Sequence, residues 1–396
     1  MALARVRATC AATLASPACP VALGPASAFS AFLQGPFPAL LAHAGAKGAG
    51  VDLPLALDTD EGIDATVLLC LLQFGSGFRV PLHAAIQCGA SDAMVRGVLG
   101  FLMVGRKPSA GLLAHLREHE VAEIWGLPMT VDAPVPDLPC VTISKPGPLK
   151  PLVAHITRAL TSCGAALLAA QAPTFSAYLR ANAAAWRVAE GGRPCIDAFV
   201  AFLAERFPVA FRDVASYGAA AEGAAGAEGR QPPAASPSPA GGDAEGASGA
   251  GSGAPPPPAH DVWLLKKAQL CAKELGRKFG AELPELFGWG AAEGGGAGSG
   301  GARALTAFAD NVLPCVLRAE GLLVLSAGLA ARIDAGEPVS SDEATALRAG
   351  AVAACAALAQ ESGESEEALD NVLWHAGKLE AYRQLPRHVD TATLYY

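Results

Sequence analysis

Two carboxylates stand in apolar company. Asp310 lies in Leu305-Thr306-Ala307-Phe308-Ala309-Asp310-Asn311-Val312-Leu313-Pro314 and Asp370 in Leu369-Asp370-Asn371-Val372-Leu373-Trp374, both read here as helical runs. A carboxylate taken out of water is costly unless it is paired or working, and groups with perturbed surroundings are the ones that hold charge or move protons at functional sites. Two such acids in the C-terminal third therefore mark a candidate site.

The elements that would position them follow from composition and periodicity. The chain has 396 residues, more than one average domain. Residues 219–260 are almost entirely Ala, Gly, Ser and Pro with a few charges, too little apolar surface to offset the entropy of ordering, and they read as a disordered insertion. Residues 290–301 form a second, Gly-rich interruption. The remaining 51–218 and 261–396 are expected to make one helical domain. Helices are expected at 91–104 from an N-cap at Ser91, at 109–118, 119–125, from Leu149 to about Ala189, and at 195–206, where Ile196, Phe199, Val200 and Leu203 share a face. Five more are expected at 262–279, 304–318, 322–334, 341–360 and 366–380. The Pro-dense 131–149 reads as a loop or an extended crossing. The apolar run Ile63 to Leu72 ends in Gln73-Phe74-Gly75-Ser76-Gly77-Phe78, a tight turn suited to close backbone approach. The predicted fold is mainly α, with a few short strands.

Several classes are excluded or disfavoured. A formal charge of −8 without a basic block lacks the footprint of a long-nucleic-acid binder, so a small ligand is expected. No stretch of about eighteen apolar residues is free of charge or breaker, so no membrane span is expected and the chain reads as soluble and cytoplasmic. Residues 1–50 contain no Asp or Glu and read either as a flexible start or as an organelle transit segment. The 10 cysteines show no C-x-x-C pair and no zinc spacing, so neither metal nor disulfide is expected. Nucleotide-binding G-x-G-x-x-G after a strand, G-x-x-x-x-G-K-[ST] and the hydrolase G-x-S-x-G are all lacking.

Six motifs occur in one order: Phe207-Pro208 with Phe211-Arg212-Asp213; Leu264-Leu265-Lys266-Lys267-Ala268-Gln269; Phe308-Ala309-Asp310 with Leu313-Pro314 and Val316-Leu317; Arg332-Ile333-Asp334-Ala335-Gly336-Glu337; Leu369-Asp370 with Leu373-Trp374; and Pro386-Arg387-His388 with Leu394-Tyr395-Tyr396. In this order they resemble the queuosine salvage proteins, the queuosine 5′-phosphate N-glycosylase/hydrolase family. The run through Leu72-Gln73-Phe74-Gly75-Ser76-Gly77-Phe78 looks like the variant of plant-type and bacterial members, with Gln73 where many animal members have Asn.

The resemblance implies a helical, DNA-glycosylase-like fold and cleavage of queuosine 5′-monophosphate into queuine and ribose 5-phosphate without cofactor or metal. Cleaving a ribosyl bond passes through an oxocarbenium-like state that needs an anion under the sugar and a partner for the departing base. By resemblance Asp310 is the catalytic acid, as nucleophile or electrostatic stabiliser, and Asp370 contacts the base. Lys266 or Lys267 would face phosphate while the other faces water, and Phe308, Trp374 and Tyr396 would flank the flat base. Gln73 and His388 are further ligand contacts on this reading. Two rivals remain, a nucleoside glycosylase of other specificity and a non-catalytic queuine- or nucleotide-binding accessory of tRNA modification, which would tolerate loss of Asp310.

Overall fold

Helix Ser341–Ser362 runs through the centre of the C-terminal region because its sequence is nearly all small and apolar: from Ala344 to Cys355 every side chain but Ala353 is buried. A capping box of Ser340 and Glu343 starts it, and Gly363, with φ of +76°, ends it. The computed structural model describes residues 1–47, 50, 52–103, 107–136, 138–187, 192–218, 259–289 and 304–396. Within these the fold is mainly α, with three two-stranded antiparallel pairs.

Against the central helix pack Ala2–Ala15, Val312–Ala319 and Glu366–Ala376. A second group centres on helix Lys266–Phe279, which packs on Thr59–Leu71 and Ile196–Arg206. In the acid-free N terminus, read from the sequence as either a flexible start or a transit segment, Leu3, Val6 and Cys10 are buried, and the amides of Ala2 and Leu3 donate to the Asp197 carboxylate at 3.0 and 2.7 Å. That carboxylate meets the free N–H groups at the start of the helix, where an anion is favoured.

The strands are short and join distant segments. Val21–Leu23 pairs with Leu323–Leu325, where a continuous helix 322–334 was expected, and the helix there covers only Ala327–Asp334. Val214–Tyr217 pairs with His260–Trp263, so the chain enters and leaves the 219–258 segment side by side; the rest of the insertion expected at 219–260, and the Gly-rich 290–301, lie outside the described residues. This pairing, continued by the Leu264 and Leu265 amides on the Asp213 carbonyl, removes residues 262–265 from the helix expected at 262–279. The Pro-dense segment resolves into a hairpin, Thr130–Val135 with Leu138–Pro146. Helix Ala90–Met103 starts one residue before its expected cap, and the long periodic stretch from Leu149 divides into Lys150–Ala169, Phe175–Ala181 and the 3₁₀ turn Ala183–Trp186.

Lys150–Ala169 is, among the described residues, the single helix long and apolar enough to cross a membrane. Its Leu152, Val153, Ile156, Leu160, Cys163 and Leu167 are buried in this fold against Ala110–Ala114, Glu118–Trp125 and Pro208–Phe211.

Candidate active site

The segment that holds Asp310 is not helical. Helix begins only at Val312, and residues 305–310 run irregularly because side chains, not a helical ladder, take up their amides. The Thr306 N–H donates to Gln269 Oε1 at 2.8 Å, the Phe308 N–H to Asp370 Oδ1 at 2.8 Å, and the Val312 N–H to Asp310 Oδ1 at 2.7 Å. Gln269 Nε2 completes the clamp by donating to Thr306 Oγ1 and to the Leu264 carbonyl. The two carboxylates singled out in the sequence are thus neighbours: both are buried, and Asp370 holds the backbone two residues before Asp310.

Lys266 completes the charge pattern. It opens its helix directly after Leu265, whose φ of +52° is unusual for a side chain of that size. Its Nζ lies 3.7 Å from Asp310 Oδ2 and donates to the Gln73 carbonyl at 3.2 Å. Gln73 therefore reaches the site through its main chain. Burial pulls the Lys266 ammonium below the ordinary lysine range, against the opposing pull of Asp310. Asp370 moves the other way. Burial pushes its carboxyl up to about 7, Lys273 opposes this, and the Asp310 charge adds to it. Asp370 therefore holds its proton up to about neutral pH.

His388 and Tyr396 come from the C-terminal tail, with ring centres 5.5 Å apart and both buried. Burial, and then Arg348, hold the His388 imidazole down to about 3, so it is neutral at physiological pH. Its Nε2 and the Asn311 Oδ1 are buried without a hydrogen-bond partner among the described residues, while Asn311 Nδ2 donates to the His388 carbonyl at 3.3 Å. Unpaired buried polar atoms are rare enough in proteins to point at a ligand or water.

One expectation is corrected. Lys267 faces neither phosphate nor water: it is fully buried, with Nζ donating to the Leu71 carbonyl at 2.9 Å and the Leu394 carbonyl at 2.8 Å. The three aromatics expected to flank a flat base each lie under a separate cation. Phe308 lies under Lys273 Nζ at 5.6 Å, Tyr396 under the Arg348 guanidinium at 4.6 Å, and the half-buried Trp374 under Lys378 Nζ at 3.4 Å.

The turn Gly75-Ser76-Gly77 was expected to allow close backbone approach, and what approaches is this chain's own tail. The Gly75 N–H donates to the Tyr396 carbonyl at 3.0 Å, and a Cβ on Gly77 would stand 2.1 Å from the Asp390 carbonyl oxygen. Gly75 itself has φ of +95°, open to glycine.

Sequence reasoning missed Arg348, Lys273 and Asn311. The signal for Arg348 was present: it is the single charged residue between Glu343 and Glu361 in an Ala-rich helix. Lys273 follows Lys266 by two helical turns and pairs with Glu367, which places it on the same side, toward Asp370. Asn311 simply follows Asp310 and gave no separate signal.

A cavity of about 300 Å³ reaches the Asp213–Arg348 pair and Tyr396 from the side of Arg158, Ser341 and Asp390. A larger one of about 600 Å³, lined by Tyr217, Arg332, Asp342 and Glu343 among others, touches none of the predicted site residues. The chemistry favours the buried cluster over the larger hollow, whose arginine is already engaged by Glu343. Among the described residues no group of three His, Cys, Asp or Glu side chains is placed to hold a metal ion.

No curated protein matches the chain. Residues 258–396 match the family model described as "Queuosine salvage protein". Lys266, Phe308, Asp310, Asp370, His388 and Tyr396 lie inside that span; Gln73 and the Phe207-to-Asp213 motif lie outside it. The matched region, about a third of the chain, contains all but one of the predicted site residues, and over that span the chain is similar to the queuosine salvage proteins.

Proposed function

We propose that this chain hydrolyses the N-glycosidic bond of queuosine 5′-monophosphate, giving queuine and ribose 5-phosphate. The observation that carries the reading is the pairing of two unlike carboxyls in the family-matched region: Asp310 beside the Lys266 ammonium, and Asp370, whose carboxyl titrates near 7. A carboxyl that burial keeps protonated can act as acid beside a neighbour that faces an ammonium.

Asp310 stabilises positive charge as it develops at the ribosyl C1′, or bonds to it, while Lys266 holds the carboxylate in place. Asp370, protonated near neutrality, donates to the departing base so that it leaves without full negative charge. Water then supplies its oxygen to C1′, and its remaining proton returns to the carboxyl groups, which resets the site. Lys267 is excluded from phosphate binding by its two backbone partners. His388 Nε2 and Asn311 Oδ1, buried without partners, are the groups we assign to substrate hydroxyl or base contacts. The net charge of −8 and the lack of a basic stripe argue for free nucleotide rather than duplex as substrate.

The test is incubation of the purified protein with queuosine 5′-monophosphate, queuine release being followed by mass spectrometry, with Asp310→Asn alongside. Release by the wild type that the variant loses is expected. Binding without release by both would move the assignment to a queuine- or nucleotide-binding accessory.

A further inference from the structure

Neither Lys266 nor Asp310 is fixed by regular structure on its inner side. Lys266 follows the left-handed Leu265, and Asp310 ends the irregular 305–310 segment. Both are nevertheless held by one buried ion pair. The Asp213 carbonyl accepts from the Leu264 and Leu265 amides at 3.0 and 3.2 Å, and its carboxylate Oδ2 lies 3.4 Å from the Lys266 amide. Arg348 grips the same carboxylate with both terminal nitrogens, one at 3.0 Å to Oδ1 and the other on Oδ2. Its third nitrogen, Nε, donates to the Ala309 carbonyl at 2.9 Å, on the peptide that leads into Asp310. Arg348 and Asp213 are 3% and 1% exposed.

From this we infer that the Asp213–Arg348 pair is a positioning device: it spans from the Leu264–Lys266 turn to the Ala309–Asp310 peptide and so sets the 3.7 Å separation of Lys266 Nζ and Asp310 Oδ2. Neither residue touches the reacting atoms; both act through the couple they hold apart. The fork geometry is needed because a single planar group must serve two carboxylate oxygens and a carbonyl at once. A lysine ammonium is one point and cannot do this.

The inference rests on the proposed reaction only for its kinetic readout, and its structural readout is independent. Arg348→Lys keeps the charge and loses the fork. We expect kcat for queuine release to fall at least tenfold with KM within about threefold, as for loss of a contact that matters only in the transition state. Crystal structures of wild type and variant without substrate should show the Lys266–Asp310 separation widened beyond about 4 Å, the reach of an ion pair. Arg348→Lys combined with Asp213→Glu restores reach between the two charges and leaves the Ala309 carbonyl without its donor. This double variant, which also serves should the single one not fold, is expected to regain the thermal midpoint but not kcat. An unchanged separation in either variant, or a kcat that recovers together with the midpoint, would overturn the inference. If the wild type itself releases no queuine, the proposed reaction fails, while the separation measured in the crystals still decides the positioning claim.

Discussion

Asp370→Asn should stabilise the protein while disabling it, and by an amount that depends on pH. The Asp370 carboxyl is buried and titrates at about 7 instead of 3.8. That displacement corresponds to about 4 kcal/mol against the charged form. The folded state keeps its proton between about pH 4 and 7, where the unfolded chain has already lost it. Stability is therefore fully present below pH 4 and falls by about 1.4 kcal/mol per pH unit until pH 7, after which it is level. Asparagine has no such proton, and its Oδ1 can still accept the Phe308 amide that Asp370 Oδ1 accepts at 2.8 Å. Denaturant unfolding of both proteins at pH 5, 6, 7 and 8 measures the difference. The advantage of the variant should grow through this series to about 4 kcal/mol, while queuine release falls at least a hundredfold at every pH. A difference in stability that does not change with pH would refute the account of Asp370 as a carboxyl kept neutral by burial.

Other outcomes follow from the same geometry. His388→Phe removes a buried ring nitrogen that has no partner, so unfolding free energy should stay within about 1 kcal/mol of wild type while KM rises at least tenfold; an unchanged KM would show that Nε2 does not meet substrate. Gly77→Ala forces the tail away from the turn, since its Cβ would meet the Asp390 carbonyl at 2.1 Å, and should cost about 2–4 kcal/mol in denaturation together with most of the activity. Lys267→Met strands the Leu71 and Leu394 carbonyls and should cost roughly 2–5 kcal/mol at pH 6. Because burial lowers the Lys267 ammonium from 10.5 to about 7, the unfolded chain binds the extra proton between those values; that residue's contribution to wild-type stability should rise with pH there, and the variant should lack the rise.

The site was legible in the sequence where a polar residue broke an apolar pattern. Asp310 and Asp370 were found that way, and both are buried and linked through the Phe308 amide. The same rule applied to helix Ser341–Ser362 would have found Arg348, whose isolation among alanines is as marked as theirs. What periodicity could not supply was the breaking of helices by tertiary hydrogen bonds. Residues 304–311 have helical composition, yet Gln269 and Asp370 take the amides that a helix would have used. Short strands such as Val21–Leu23 and Leu323–Leu325 escaped for a related reason: three residues are too few to show alternation, and their partner lies some three hundred positions away. Lys267 and Lys266 are adjacent and alike in type, and only the fold reveals that one meets a carboxylate and the other two carbonyls.

The packing of helix Ala2–Ala15 on helix Ser341–Ser362 bears on how the protein is made. Leu3, Val6 and Cys10 are made more than three hundred residues before helix Ser341–Ser362, which packs on their helix. At 5–20 residues per second the first helix waits roughly 20–70 s for its partner. Throughout that interval the part of its apolar face that Ser341–Ser362 covers is open to chaperones and to neighbouring nascent chains. Substitutions on this face should therefore alter yield in the cell more than they alter the stability of protein that has already folded.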